Sequence, residues 1–299
     1  MSEVLTPHDL GRFSNLQLLA RQVVEGFCSG LHRSPYKGFS VEFKEHRPYV
    51  PGDEIRTIDW NVTARTGQPY VKQFVEEREL TVMLVVDASG SGDFASEGQF
   101  KRELAAELAS VLSFAATTNK DKVGLLIFTD QIELFIPPRK GRRHVLRLIR
   151  ELLAFEPQSD GTDIKLALDT INQILKRRSI LFLVSDFLDE PQHYERALHM
   201  TNRKHDVIAI DLHDPLERDI ANVGLLTLED AETGELIWVD TADREWRTLF
   251  NQHVERFETN KNKAFANAAV DRVSLHTDQD YFKALTLFFE KRAKRKSVY

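Results

Sequence analysis

A chain of 299 residues, at a working figure of about 150 residues per domain, has room for one large or two modest domains. Hydrophobic residues make up 42% and charged residues 29%, a composition that supports a full core. Lys and Arg number 40 against 46 Asp and Glu, so the net charge is −6; a general nucleic-acid coat, which needs excess positive charge to release counterions, is excluded.

Cys28 is the single cysteine, which rules out an internal disulfide and argues against a cysteine-based zinc site. The opening MSEVLTPHDLG has neither a basic nor an apolar signal region. The apolar runs Val82–Val86, Val123–Phe128 and Ile180–Val184 fall far short of the ~20 residues that span a bilayer. The expectation is a cytoplasmic protein with no membrane span.

In chain order, Leu16–Phe27 spaces its apolar residues as a helix, with Ser14 or Asn15 as cap. From Gly38 to Phe74 the pattern alternates and is broken by Pro48, Pro51-Gly52, Gly67 and Pro69, which predicts hairpins and loops with no long helix. After Glu79 strands and helices alternate. Leu80–Val86 reads as a strand buried on both faces. A helix over Gln99–Thr117, a strand over Lys122–Phe128 and a short edge strand over Gln131–Ile136 follow. Helices at Gly141–Phe155 and Asp163–Lys176 lead to a buried strand at Ser179–Val184. Then come a helix at Gln192–Arg203, a strand at Asp206–Asp211, a hairpin of Val223–Asp230 with Glu235–Val239, and a helix at Ala242–Ala266. A strand at Asp271–Leu275 and a helix at Gln279–Arg292 close the pattern. Strands separated by helices imply a doubly wound, mostly parallel α/β sheet covered on both faces. The expected division is a helix plus β-rich region over 1–78 and an α/β domain over 79–299, with the hairpin inserted near 214–240.

In open α/β sheets ligands bind beyond the carboxyl ends of the strands. The first buried strand ends in Asp87-Ala88-Ser89-Gly90-Ser91, and Ser179–Val184 ends in Ser185-Asp186. The helix preceding that second strand is led in by Ser159-Asp160-Gly161-Thr162-Asp163. Three loops therefore bring Asp87, Ser89, Ser91, Thr162 and Asp186 toward one end of the sheet. Carboxylates and hydroxyls with positions left to water are the ligands of a hard divalent cation, Mg²⁺ first, with Mn²⁺ or Ca²⁺ as substitutes. Asp163 reads as the cap of its helix rather than as a ligand. No phosphate-binding loop, nucleophile elbow or H-E-x-x-H motif is present, and the scattered histidines form no ligand pair near these residues. The basic run Arg139–Arg150 reads as a solvated helix face, the alternative being a patch for an acidic partner.

Asp87-x-Ser89-x-Ser91 after a buried strand, followed by Thr162 and Asp186, resembles the metal-ion-dependent adhesion site of von Willebrand factor A domains. Upstream, Ser34-Pro35-Tyr36-x-Gly38, then Arg47-x-Tyr49-x-Pro51-Gly52-Asp53-x-x-Arg56-x-Ile58-Asp59-Trp60, Ala64-Arg65 and Glu76-Glu77-Arg78 resemble the bacterial family labelled domain of unknown function 58. The resemblance runs from Ser34 to Asp211. It implies a non-enzymatic, divalent-cation-dependent protein-binding module. It also implies as partner a MoxR-type AAA+ ATPase, or a client protein offering an acidic residue, in chaperone-like assembly or metal insertion. The alternative from another class is a metal-dependent phosphoester hydrolase using the same ion as a Lewis acid.

Overall fold

The computed structural model describes residues 41–76, 80–93, 100–217, 220, 222–229 and 236–297. The helix expected over 16–27 and Cys28 lie outside the described residues. The described residues divide into two compact units, residues 41–76 falling in the smaller and the described residues from 80 to 297 in the larger.

In the smaller unit, β1 (Val41–Pro48) pairs antiparallel with β2 (Tyr70–Glu76) across a bulge between Phe43 and Glu45. Between them lies α1 (Trp60–Thr66), a two-turn helix the sequence pattern did not predict. Its signals are local: Asp59 accepts from the backbone N–H groups of Asn61 and Val62, and Gly67 ends it at φ 76°. The Asp59 carboxylate also meets His46 at 2.9 Å and Lys72 at 3.3 Å. Arg47 forks onto Asp53 at 2.7 and 2.6 Å, and Val50 N–H donates to the same carboxylate, closing the Pro51-Gly52 turn. Arg47, Asp53 and Asp59 of this segment are thus turn and cap residues.

The larger unit is built on a six-stranded sheet. Its strands are β3 (Thr81–Asp87), β4 (Lys122–Phe128), β5 (Ile132–Arg139), β6 (Ile180–Ser185), β7 (Asp206–His213) and β10 (Asp271–His276). Their order is β10-β7-β6-β3-β4-β5, with only β5 antiparallel. This is the doubly wound, mostly parallel α/β arrangement expected. The edge strand β5 runs past the predicted Ile136 through Pro137 and Pro138. Proline lacks an N–H, which an edge strand does not need on its outer side.

Among the described residues, six helices clothe the sheet: α2 (Lys101–Thr118), α3 (Arg142–Leu153), α4 (Ile164–Ile174), α5 (Pro191–Lys204), α6 (Arg244–Ala268) and α7 (Tyr281–Ser297). One face of the sheet packs Met83, Val85, Leu126, Leu181, Leu183 and Val207 against α4, α5 and α6. By the period-2 alternation of strands, Val82, Leu84 and Val86 face the other layer. Phe182 meets Phe289 of α7 there, edge to face at 6.4 Å. A separate hairpin, β8 (Leu225–Glu229) with β9 (Leu236–Asp240), stands where an insertion was expected. No helix among the described residues is long and apolar enough to cross a membrane.

Candidate functional site

The strand order places the switch point of the sheet between β3 and β6, the crevice where ligands of such folds bind. Asp87 ends β3, and Ser185 and Asp186 end β6. The turn after β3 folds back on itself. Ser89 N–H donates to Asp87 Oδ1 at 3.0 Å, and the Ser89 and Ser91 hydroxyls lie 3.1 Å apart. Ser185 Oγ donates to Asp87 Oδ2 at 2.6 Å and accepts from Phe187 N–H at 3.0 Å. Phe187 adopts φ 52°, a left-handed turn that costs a non-glycine residue energy. Its ring is fully buried, 5.0 Å edge-to-face from Phe265 and 6.0 Å from Tyr194, and this packing holds the turn that aims Asp186 back over the strand ends.

Asp87, Ser89, Ser91 and Asp186 line one pocket of about 20 Å³, room for roughly one water-sized particle. Thr162 does not line it. The Thr162 loop adjoins: Asp160 O accepts from Gly90 N–H at 2.9 Å, tying it to the serine turn. Asp163 caps α4 by accepting from Leu166 N–H at 2.8 Å, as its position suggested.

The two carboxylates differ in charge environment. Burial, and then the nearby Asp186, push the Asp87 carboxyl up to about 7, against the lowering effect of its Ser185 and Ser89 hydrogen bonds. Burial would raise Asp186 as well, but Lys101 and the Ser91 hydroxyl more than offset it and hold Asp186 below the usual carboxylate range. Lys101 Nζ donates to Asp186 Oδ2 at 2.8 Å and pairs with Glu217, which follows β7. The sequence reading, in which Asp186 completes an ion's shell through water or directly, did not include this ammonium. One of the Asp186 oxygens is held by an ammonium, and the other accepts from Leu188 N–H at 3.3 Å. Lys101, Ser185 and Glu217 were not singled out from the sequence. Ser185, directly before Asp186, is the one a strand-end scan could have found.

The residues fit a small hard cation on the Asp87 side. The donors are a carboxylate and two adjacent hydroxyls, all oxygen, and the pocket is of single-ion size. A poorly solvated carboxyl raised by a second carboxylate beside it is also what a bound cation relieves.

A model of the family described as "Protein of unknown function DUF58" matches residues 45–260. Uncharacterized proteins of Mycobacterium tuberculosis and Mycobacterium bovis are each 31% identical over 279 residues, covering 93% of this chain and 87% of the relative. The uncharacterized protein YeaD of Bacillus subtilis is 28% identical over 106 residues, 36% of this chain and 24% of its own length. Among solved structures, the conserved hypothetical protein BatB of Bacteroides thetaiotaomicron matches with a TM-score of 0.49 at 14% identity, covering 72% of this chain and 99% of that one. A von Willebrand factor type A protein of Catenulispora acidiphila matches with a TM-score of 0.43 at 11% identity, covering 76% of this chain and 45% of that one.

Proposed function

The chain belongs to the DUF58 family, and from that footing we propose that it is a cation-dependent protein-binding module whose contact point is the pocket between β3 and β6. Asp87, Ser89 and Ser91 hold Mg²⁺ directly or through water, Thr162 joins from the adjoining loop, and Asp186 completes the set through water. Mn²⁺ and Ca²⁺ are the substitutes. When bound, the ion offers an open coordination position that an acidic side chain of another protein can fill. The partner is a cytoplasmic MoxR-type AAA+ ATPase, or a client protein that the pair remodels.

The observation that carries this reading is the charge state of the pocket wall. Asp87 is half-buried beside a second carboxylate, yet the hydrogen bonds that fix it, from Ser89 N–H and the Ser185 hydroxyl, come from neutral donors. Ser185 and the Ser89 N–H fix the orientation of Asp87, and the serine pair presents two hydroxyl oxygens beside it. These residues orient and hold the site.

The test is a binding titration of the purified chain against the MoxR-type ATPase of its source cell, in Mg²⁺ and in chelator. Wild type in Mg²⁺ is expected to bind at least tenfold more tightly (about 1.4 kcal/mol) than wild type in chelator or Asp87→Asn in Mg²⁺. Equal binding in all three overturns the reading. Turnover of a generic phosphoester by wild type with Mg²⁺, lost in Asp87→Asn, would establish the hydrolase instead.

A further inference from the structure

The chain supplies cations of its own at the Asp186 end of the pocket. Lys101 is 2% exposed, and its ammonium is shared between Asp186 and Glu217. Lys261, fully buried, brings a second ammonium to 3.4 Å from the Asp186 carbonyl oxygen. Lys101 stands at the end of its helix that does not favour a cation. It is the first residue of α2, the positive end of the helix dipole, where a cation is the wrong sign. Burying an ammonium is costly unless it is paired. Its place is therefore set by two acids distant in sequence, one at the end of β6 and one beyond β7.

We propose that Lys101 is an internal cation that sets the ion affinity of this pocket. By occupying Asp186 Oδ2 it withholds that oxygen from direct coordination and leaves Asp186 to reach a divalent ion on the Asp87 side through water. Its charge lowers the affinity for that ion, because two cations sharing a poorly solvated pocket repel strongly. Glu217 moderates the effect by neutralising part of the ammonium charge. The inference rests on the cation reading given above and adds to it the residue that keeps ion binding weak when no acidic partner side chain is present.

The experiment is calorimetric titration of Mn²⁺ into the full chain, with circular dichroism and thermal melting as folding controls. The proteins are wild type, Lys101→Met, Glu217→Gln, the Lys101→Met/Glu217→Gln double variant, and Asp87→Asn. Lys101→Met is expected to lower the Mn²⁺ Kd at least tenfold. Glu217→Gln, which leaves the ammonium less compensated, is expected to raise it. The double variant removes the buried pair together and is expected to bind more tightly than wild type, so it carries the test should Lys101→Met alone fail to fold. If Asp87→Asn abolishes binding but neither Lys101 variant binds more tightly than folded wild type, Lys101 does not set affinity and the cation reading stands without it. If no folded variant binds Mn²⁺ saturably, both fall together.

Discussion

Two clusters of buried acids stand at neighbouring strand ends of the same sheet, and they are built differently. At the end of β7, Asp211 is fully buried and closed in by His213 at 3.0 Å, Lys261 at 3.4 Å and Arg272 at 3.4 Å. Lys261 also takes Glu258 at 2.8 Å and lies 5.7 Å from the centre of the Phe257 ring, while Arg272 lies over Phe265. At the ends of β3 and β6, Asp186 has its ammonium but Asp87 is held by neutral donors, and a pocket opens beside it. A count of carboxylates would rank the two clusters alike. The balance of charge separates them: the Asp211 carboxylate has cations of the chain on it, whereas Asp87 is held by neutral donors, which is what the proposed ion would exploit.

The sharpest way to break this comparison is Lys261→Met. Removing one partner of a buried ion cluster leaves an uncompensated charge, and about 3–5 kcal/mol of stability should be lost, read by urea unfolding. A loss under about 1 kcal/mol would mean that Asp211 is not held as its contacts indicate. A buried group with no acid paired to it among the described residues gives the second test. His205, just before β7, is fully buried and accepts from Ser179 N–H at 3.3 Å. Burial first, then Lys204 and Arg178, lower its pKa to about 4. The folded protein therefore keeps His205 neutral where the unfolded chain already takes up a proton. This contribution to stability is complete above the unfolded value near 6.5 and is lost as the pH falls toward 4. Between pH 7 and pH 5, wild type should lose about 2 kcal/mol more than His205→Gln. Equal losses would show that His205 is not desolvated in the folded state.

A lesion without charge sets the scale for these effects. Gly124 in β4 has no room for a Cβ, which would meet Met83 Sδ at 2.7 Å, Pro138 Cγ at 2.9 Å and Ile136 O at 3.0 Å. Gly124→Ala should cost about 1–3 kcal/mol by overpacking, with the same loss at pH 5 and pH 7. A pH-dependent loss would place the strain at a titrating group rather than in the apolar core.

The central strands were legible in the sequence because β3, β4 and β6 are almost wholly apolar, and the strand-end rule then placed Asp87 and Asp186 at one crevice. The cap role of Asp163 followed from its position before an amphipathic stretch. Helix α1 escaped because seven residues are too few for a periodicity to register, although Asp59 and Gly67 mark its two ends. Lys101 escaped for a different reason. A lysine opening a helix reads as solvated, and its burial depends on Asp186, 85 residues further on. Charge compensation across such distances is set by the tertiary fold, so the sequence located both carboxylates but left their different environments hidden.

Asp87→Asn carries the smallest expected change in stability and says most about the comparison. In an acid cluster satisfied from within, neutralising the acid strands its cations and destabilises the fold. At Asp87 the amide removes a charge that burial and Asp186 already disfavour, and its oxygen can still accept the Ser185 hydroxyl or the Ser89 N–H. Urea unfolding without divalent ions should therefore place Asp87→Asn within about 1 kcal/mol of wild type, on the stable side if repulsion from Asp186 dominates. If the proposed site binds Mg²⁺ in the folded state, Mg²⁺ should raise the melting temperature of the wild type and leave that of the variant unchanged. A large loss of stability with the Mg²⁺ shift intact would reverse the assignment, making Asp87 a structural acid like Asp211 and moving the ion elsewhere.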